Sequence, residues 1–285
     1  MRIVRYLDAG VPAWGWLRQD LILPLAREGA DLRFDLSALF AQAQAQAAAG
    51  GAQPGRALAD ASLLPPLVPG ATVYCVGINY PAHAGEAGRD LPPNPSLFVR
   101  RQASLVGSGQ PLRRPVDSVQ LDFEGELALV IGRGGRHIAP ADALRHVAAY
   151  TCFNDGSVRD FQRHSVTAGK NFEASGACGP WLTSADEVAD PGALRLSTHV
   201  NGEPMQSANT GEMVFPLAVL ISYVSRFAQL RSGDLIATGT PQGVGAARNP
   251  PRWLVAGDRV SVEIEGVGRL DNPVADEQAP GPPAR

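Results

Sequence analysis

Short apolar runs broken by glycine and proline fill the first 24 positions. Arg2–Leu7, Trp14–Arg18 and Leu21–Leu23 are too short for helices and predict a small antiparallel sheet. Asp35–Ala48 reads differently: Asp35 suits an N-cap, and Leu36, Leu39 and Phe40 fall at helical spacing. Gly50–Gly55 is a Gly/Pro-rich loop, and Leu64-Pro65-Pro66 and Pro69-Gly70 follow before a denser pattern starts at Val73. A boundary near residue 68 is expected, with a small α+β unit over 1–68 and a larger one over 69–285. The larger part predicts strands at Val73–Val76, Leu97–Val99, Leu121–Ile131, Ala148–Phe153, Arg195–Val200, Leu235–Thr238 and Arg259–Ile264. One long helix, Met213–Gln229, places Val214, Leu217, Leu220, Ile221, Val224 and Phe227 on an apolar face, with Pro216 tolerated in its first turn. The fold class is mainly β (α+β), rolled or barrel-like, and the Pro/Gly-rich tail Gln278–Arg285 is expected to fray.

Composition narrows the classes of function. The chain has 285 residues, 45% hydrophobic and 19% charged, so it can bury a large core and is not intrinsically disordered. A net charge of -3 offers no basic field for a nucleic acid, so any anionic ligand must find positive charge locally. Cys75, Cys152 and Cys178 form no C-x-x-C pair and no disulfide framework, and reduced buried thiols are expected. No apolar stretch approaches the ~20 residues of a membrane span, and no secretory pattern opens the chain. A cytoplasmic protein without membrane or nucleic-acid partners is the expectation.

The densest chemical signal is Leu121-Asp122-Phe123-Glu124-Gly125-Glu126-Leu127-Ala128-Leu129-Val130-Ile131. Read as a strand, Phe123, Gly125, Leu127, Leu129 and Ile131 share one face, and Asp122, Glu124, Glu126, Ala128 and Val130 the other. Two glutamates about 6–7 Å apart on a buried face repel by roughly 2–3 kcal/mol at an effective dielectric near 20. A divalent cation bound by oxygen relieves this; a solvated edge strand is the alternative, disfavoured by Ala128 and Val130. Asp155 follows the apolar run Tyr150–Phe153 at a strand end, where it can be a ligand, a helix cap or both. Beyond it, Arg159 and Gln162 stand three apart on a polar helix. Glu124, Glu126 and Asp155 make an all-oxygen set suited to Mg²⁺ or Mn²⁺ rather than zinc.

In Asn79-Tyr80-Pro81-Ala82-His83-Ala84-Gly85-Glu86-Ala87-Gly88, Pro81 opens a short helix and Gly88 lies beyond its end. His83 and Glu86 then share a face, as a base with an orienting carboxylate or as an exposed ion pair. Lys170 is the only lysine, the other 24 of the 25 Lys and Arg residues being arginine. The Gly-rich turn Thr238–Gly245 lacks P-loop spacing but can line a small-acid pocket. No serine-hydrolase elbow, zinc-protease motif or dinucleotide fingerprint is present.

In sequence order, VGINYPAHAGE, DFEGELALVIG, NDGSVRDFQ, GKNF, Gly179-Pro180, VNGEPMQ, GDLIATGTPQGVG and GDRVSVEIEGVGRLDN resemble the fumarylacetoacetate hydrolase superfamily over about residues 73–272. The resemblance implies the family's β-roll, a homodimer and Mg²⁺ or Mn²⁺ held by Glu124, Glu126 and Asp155. It also implies a lid carrying His83 and Glu86, a catalytic Lys170, and substrate contacts from Tyr80, Arg159, Gln162 and Thr240. Two departures stand out: Pro81-Ala82 replaces an Arg-Asp type of pair, and Arg100 in Phe98-Val99-Arg100 replaces a lysine. The rigid fork of Arg100 suits a distal substrate carboxylate, which points to a dicarboxylate.

The implied activity is metal-dependent C–C hydrolysis of a 2,4-dioxo acid, such as an acylpyruvate, by water activated at His83. Lys170, Arg159 and Gln162 offset the developing charge. Decarboxylation of oxaloacetate, or hydration or isomerisation of a 2-oxo-alkenoate from aromatic catabolism, uses the same groups and stays open. So does a binding protein on this scaffold without turnover.

Overall fold

The computed structural model describes residues 1–29, 35–50 and 54–278. The first three strands, Arg2–Asp8, Val11–Arg18 and Leu21–Arg27, form the expected antiparallel meander. The meander is not a separate sheet. Arg2–Asp8 pairs antiparallel with Gly176–Ser184, which continues through Val147–Asn154, Gly125–Ile131, Leu235–Ala237 and Val73–Gly77 to Ser96–Arg100. Residues on both sides of position 68 therefore share one sheet, and Ile3, Trp14 and Phe40 pack in one core cluster with Ala128, Val130 and Phe153. A second sheet of five strands carries Glu203–Asn209, Arg195–Val200, Arg259–Ile264, Gly268–Asp276 and Leu112–Arg114.

The central strand Gly125–Ile131 is buried on both faces. Leu127, Leu129 and Ile131 join the cluster that includes Leu196, Val262 and Leu270 of the smaller sheet. Ala128 and Val130 join the cluster beneath the N-terminal meander. The alternation read from the sequence thus separates two cores, with no solvent face at all. The expected strand over 121–131 is in fact two: Leu121–Asp122 pairs with Ser157–Val158, and the central strand starts again at Gly125. The chain breaks at Phe123-Glu124, so Glu124 sits at a corner.

The helix Leu36–Ala49 begins where expected, Asp35 accepting a bond from Ser37 N at 3.0 Å. The long helix runs Leu217–Phe227, four residues later at its start than expected. Asn79 takes the backbone N–H groups of Val214 and Phe215, and Pro216 becomes the N-cap. Phe227 is correspondingly exposed. The strands Gly176–Ser184, Glu203–Asn209 and Gly268–Asp276 were not among the expected ones. The fraying expected of the tail concerns residues 279–285, and the loop read at Gly50–Gly55 includes 51–53; both lie outside the described residues. Among the described residues no helix is long and apolar enough to cross a membrane.

After Arg100 the chain crosses to Leu105–Val106, which pairs parallel with Gly176–Ala177. Glycine is required where these segments meet: a Cβ on Gly156 would lie 1.9 Å from the Ser175 carbonyl oxygen. Gly156→Ala is expected to destabilise the fold by about 2–3 kcal/mol through overpacking against backbone. A urea titration reads this, and an unchanged midpoint contradicts the packing described.

A carboxylate-lined cavity as the candidate active site

Strand register builds the site. Gly125 pairs with Asn154 and Glu126 with Phe153, so Glu124 and Asp155 flank the same end of one antiparallel pair, and Asp155 N donates to Glu124 O at 2.8 Å. Ligand oxygens of Glu124, Glu126 and Asp155 all lie within 4.8 Å of one another, and all three residues are buried. On the other side of the central strand, Leu235–Ala237 leads into the Gly-Thr-Pro turn, whose Gly239 N donates to Glu126 Oε2 at 2.8 Å.

Three cations answer these carboxylates, Lys170 and Arg100 buried and Arg159 half-buried. Lys170 Nζ donates to Glu124 Oε2 at 2.7 Å, Asp155 Oδ2 at 2.5 Å and Asp155 O at 2.9 Å, which engages all three ammonium protons. Its ammonium also stands 5.4 Å from the centre of the Phe98 ring. Arg159 lies 2.8 Å from Asp122 Oδ2 and 2.7 Å from Glu124 Oε1. Arg100 Nη1 reaches Asp155 Oδ1 at 2.6 Å.

Burial alone would raise the Glu124 carboxyl, but Lys170, Arg159 and His83 outweigh it and hold it down to about 2. Burial favours neutral Lys170, yet Asp155 and Glu124 raise its pKa, so it is charged. Burial, then the neighbouring Asp155 and Glu124, push Glu126 well above the ordinary carboxylate range. Glu126 has no ion-pair partner among the described residues. Together with Asp122, the site holds four buried carboxylates against Arg100, Arg159 and Lys170. An oxygen-ligated divalent cation fits this cluster in donor type, in spacing and in sign.

The cluster opens into a cavity of about 540 Å³ whose lining includes Glu124, Asp155, Lys170, Arg159 and Gln162 together with His83 and Glu86. The helix Pro81–Glu86 places His83 Nδ1 3.1 Å from Glu86 Oε2, and Gly243 N donates to Glu86 Oε1 at 2.8 Å. The dyad is therefore tied to the loop beyond the Gly-Thr-Pro turn. The other ring nitrogen of His83 has no protein partner among the described residues.

A family model, fumarylacetoacetate (FAA) hydrolase C-terminal, matches residues 72–275. The chain belongs to this family. It is 41% identical over 217 residues to the oxaloacetate tautomerase fahd2, mitochondrial, of Xenopus laevis, covering 75% of this chain and 68% of that protein. Its fold matches 5-carboxymethyl-2-hydroxymuconate delta-isomerase from Mycobacterium smegmatis at 30% identity and a TM-score of 0.77, over 98% of this chain and 100% of that one. Maleylpyruvate hydrolase from Sphingobium sp. SYK-6, solved with manganese(II) and pyruvate, matches at 29% identity and a TM-score of 0.79, again over 98% and 100%.

Within this fumarylacetoacetate hydrolase family chain, two sequence-based expectations need correction. Arg100 does not face the substrate space. Its side chain is fully enclosed, with Nε on Ser104 Oγ at 3.0 Å, Nη1 on Asp155 Oδ1 and the Gly156 carbonyl, and Nη2 on Ser175 Oγ at 2.9 Å. The crossover after Arg100 buries it behind Asp155, and no donor is left for a distal carboxylate. Tyr80, the N-cap of the dyad helix, is likewise fully buried and does not line the cavity. Burial and the nearby Glu126 push its hydroxyl, which has no hydrogen-bond partner among the described residues, above the ordinary tyrosine range. Thr240 does line the cavity, but its hydroxyl donates to Gly125 O at 3.0 Å and accepts from Gln206 Nε2 at 2.8 Å, so it pins the turn.

Sequence reasoning missed three supporting residues. Gln206 also accepts from Gly125 N at 2.9 Å and donates to Pro241 O, and its signal was its place in VNGEPMQ. Asp122 receives Gly245 N and Ala246 N as well as Arg159, and it stood on the acidic face of the DFEGE segment. Asn79 bonds Thr238 O and Phe215 O, and nothing in the sequence separated it from an ordinary turn residue. Removing one partner of a buried ion pair costs about 3–5 kcal/mol, so Arg100→Met is expected to lose that much stability. Calorimetric unfolding measures the loss, and a near-neutral variant contradicts the role of Arg100 as the counter-charge of Asp155.

Proposed function

We propose that this protein is a divalent-metal-dependent tautomerase of a short 2-oxo dicarboxylate, interconverting enol and keto forms at the carbon beside the 2-oxo group. The observation that carries the reading is the His83–Glu86 dyad lining the same cavity as Glu124 and Asp155 of the carboxylate cluster. The relative named oxaloacetate tautomerase, 41% identical, supports it. A cation held by Glu124, Glu126 and Asp155 supplies Lewis-acid polarisation of a 2-oxo acid bound by its oxalate-like end.

Ketonisation breaks one O–H bond and forms one C–H bond, and the C=C double bond becomes C=O. One base that alternates between two protonation states is sufficient. His83 has that capacity: Glu86 orients its Nδ1, and the opposite nitrogen is free to deliver a proton to carbon and recover one from oxygen. Gln162 accepts from Arg159 Nη1 through its carbonyl at 2.9 Å, which leaves its amide donors available to a ligand in the cavity it lines. Lys170 and Arg159 hold the Glu124 carboxylate ionised and in place, so that the charge field is set before substrate arrives.

Hydrolysis of a C–C bond is the second reading. The cavity of about 540 Å³ favours it, because that volume falls in the ~300–1,000 Å³ range of pockets for ligands much larger than a four-carbon acid. There His83 would deprotonate water instead of carbon.

Decay of the enol absorbance of oxaloacetate distinguishes these outcomes. With Mg²⁺ the purified protein is expected to accelerate it, and excess EDTA to abolish the acceleration. His83→Ala is expected to lower kcat about 10²–10⁴-fold while metal affinity stays unchanged. Full activity in EDTA, or in His83→Ala, contradicts the proposal. Metal-dependent release of pyruvate from acetylpyruvate without tautomerase activity moves the assignment to hydrolysis.

A further inference from the structure

Four fixed cations line the cavity: Arg89, Arg159, Arg163 and Lys170. Arg159 and Lys170 are committed to the buried carboxylates. Arg89 and Arg163 have no side-chain hydrogen bond or ion pair among the described residues, and both are exposed. Some surface arginines elsewhere in this chain pair with carboxylates, Arg145 with Asp142, Arg195 with Glu265 and Arg269 with Glu263. Others, such as Arg101 and Arg113, do not among the described residues, so it is their place on the cavity wall that distinguishes Arg89 and Arg163. The acids of the cavity wall are already taken, Glu86 by His83 and Gly243 N, and Glu124 and Asp155 by the buried cations. Two guanidinium groups from separate chain segments therefore line one cavity with no internal counter-charge.

Their positions are built into the same elements that carry the site. The dyad helix ends in a paired turn: Arg89 N bonds Ala84 O at 2.9 Å and Gly88 N bonds Gly85 O at 3.1 Å, with Gly88 at a φ of 62°. This closure fixes the backbone of Arg89 relative to His83. Arg163 directly follows Gln162 and caps the short helix Arg159–Gln162, its N–H bonding Arg159 O at 3.2 Å. The same cavity wall includes the apolar side chains Val76, Phe98, Val166 and Val244. A ligand anchored at the cluster by one end thus shares its cavity with uncompensated positive charge.

We infer that Arg89 and Arg163 form the subsite for the second carboxylate of the substrate, making the enzyme selective for 2-oxo dicarboxylates over 2-oxo monocarboxylates. The inference rests on the proposed function, in which the oxalate-like end of the substrate lies at the carboxylate cluster. It gives the dicarboxylate preference a different location from Arg100, which the fold has enclosed. Arginine suits the task because its fork binds a carboxylate through two parallel bonds.

The test is a matched pair of ligands, oxaloacetate and 2-oxobutanoate, which have the same carbon count and differ by the distal carboxylate. Binding to the Mg²⁺-loaded protein is measured by calorimetry for the wild type, for the double variant Arg89→Gln/Arg163→Gln, and for Arg101→Gln as the removal of one exposed positive charge outside the cavity. The wild type and Arg101→Gln are expected to prefer oxaloacetate on the order of tenfold. In the double variant that preference falls to near unity, with 2-oxobutanoate affinity unchanged. Equal wild-type affinities, or a preference that survives in the double variant, overturn the subsite while leaving the metal-end reading intact. Binding of neither ligand by the wild type overturns the metal-end reading and the subsite with it.

Discussion

The structure depends on a charge imbalance buried at the end of one strand pair. Asp122, Glu124, Glu126 and Asp155 are withdrawn from water together, Arg100 and Lys170 are withdrawn with them, and the half-buried Arg159 closes the cluster from the cavity side. Ionised groups in a low-dielectric interior are tolerated only when paired and hydrogen-bonded. Every oxygen but those of Glu126 has a cation or a close donor set arranged around it. Glu126 has a single backbone N–H, from Gly239, and two carboxylates beside it. The fold supplies a positive charge to each neighbour and leaves this one to be matched by something bound.

Much of the remaining architecture follows from holding that cluster rigid. The antiparallel register sets Glu124 beside Asp155, and the crossover from Arg100 to Gly176–Ser184 brings a guanidinium behind Asp155. A Cβ on Gly176 would lie 2.8 Å from Arg100 Nη2, so the glycine makes room for the planar group. Gln206 reaches in from the smaller sheet to clamp both Gly125 and the Gly-Thr-Pro turn. The open side of the cavity is built on shorter elements: the helix of His83 and Glu86 and the helix ending at Gln162. Chemistry is thus divided between a locked floor that sets charge and a wall of small helices that handles protons and substrate.

The metal-ligand candidates were legible in the sequence because acidic residues amid apolar alternation are costly to bury unless a cation compensates them. The alternation of Leu127, Leu129 and Ile131 against Ala128 and Val130 also showed that both faces were buried. The corner at Phe123-Glu124 was not visible, since a strand that breaks for two residues keeps the same pattern on either side. Gly176–Ser184 was hidden because Gly179-Pro180 carries a turn signal inside a paired strand. Arg100 looked available on a short strand near the dyad, and only the long-range crossover encloses it. Asn79 and Gln206 act through amide hydrogen bonds to distant backbone, a role that residue type and spacing do not announce. Arg89 and Arg163 were two among 24 arginines until the cavity set them apart from paired ones.

If the fold leaves Glu126 to be matched by a bound charge, then Glu124, Glu126 and Asp155 form one divalent-cation site that this uncompensated carboxylate completes. Equilibrium binding of Mn²⁺ followed by its electron paramagnetic resonance signal tests it directly, on the wild type and on Glu126→Gln. One ion bound per chain is expected, displaced competitively by Mg²⁺, with loss of that binding in Glu126→Gln while the fold stays intact. Absence of stoichiometric binding in the wild type, or equal affinity in the variant, would contradict it.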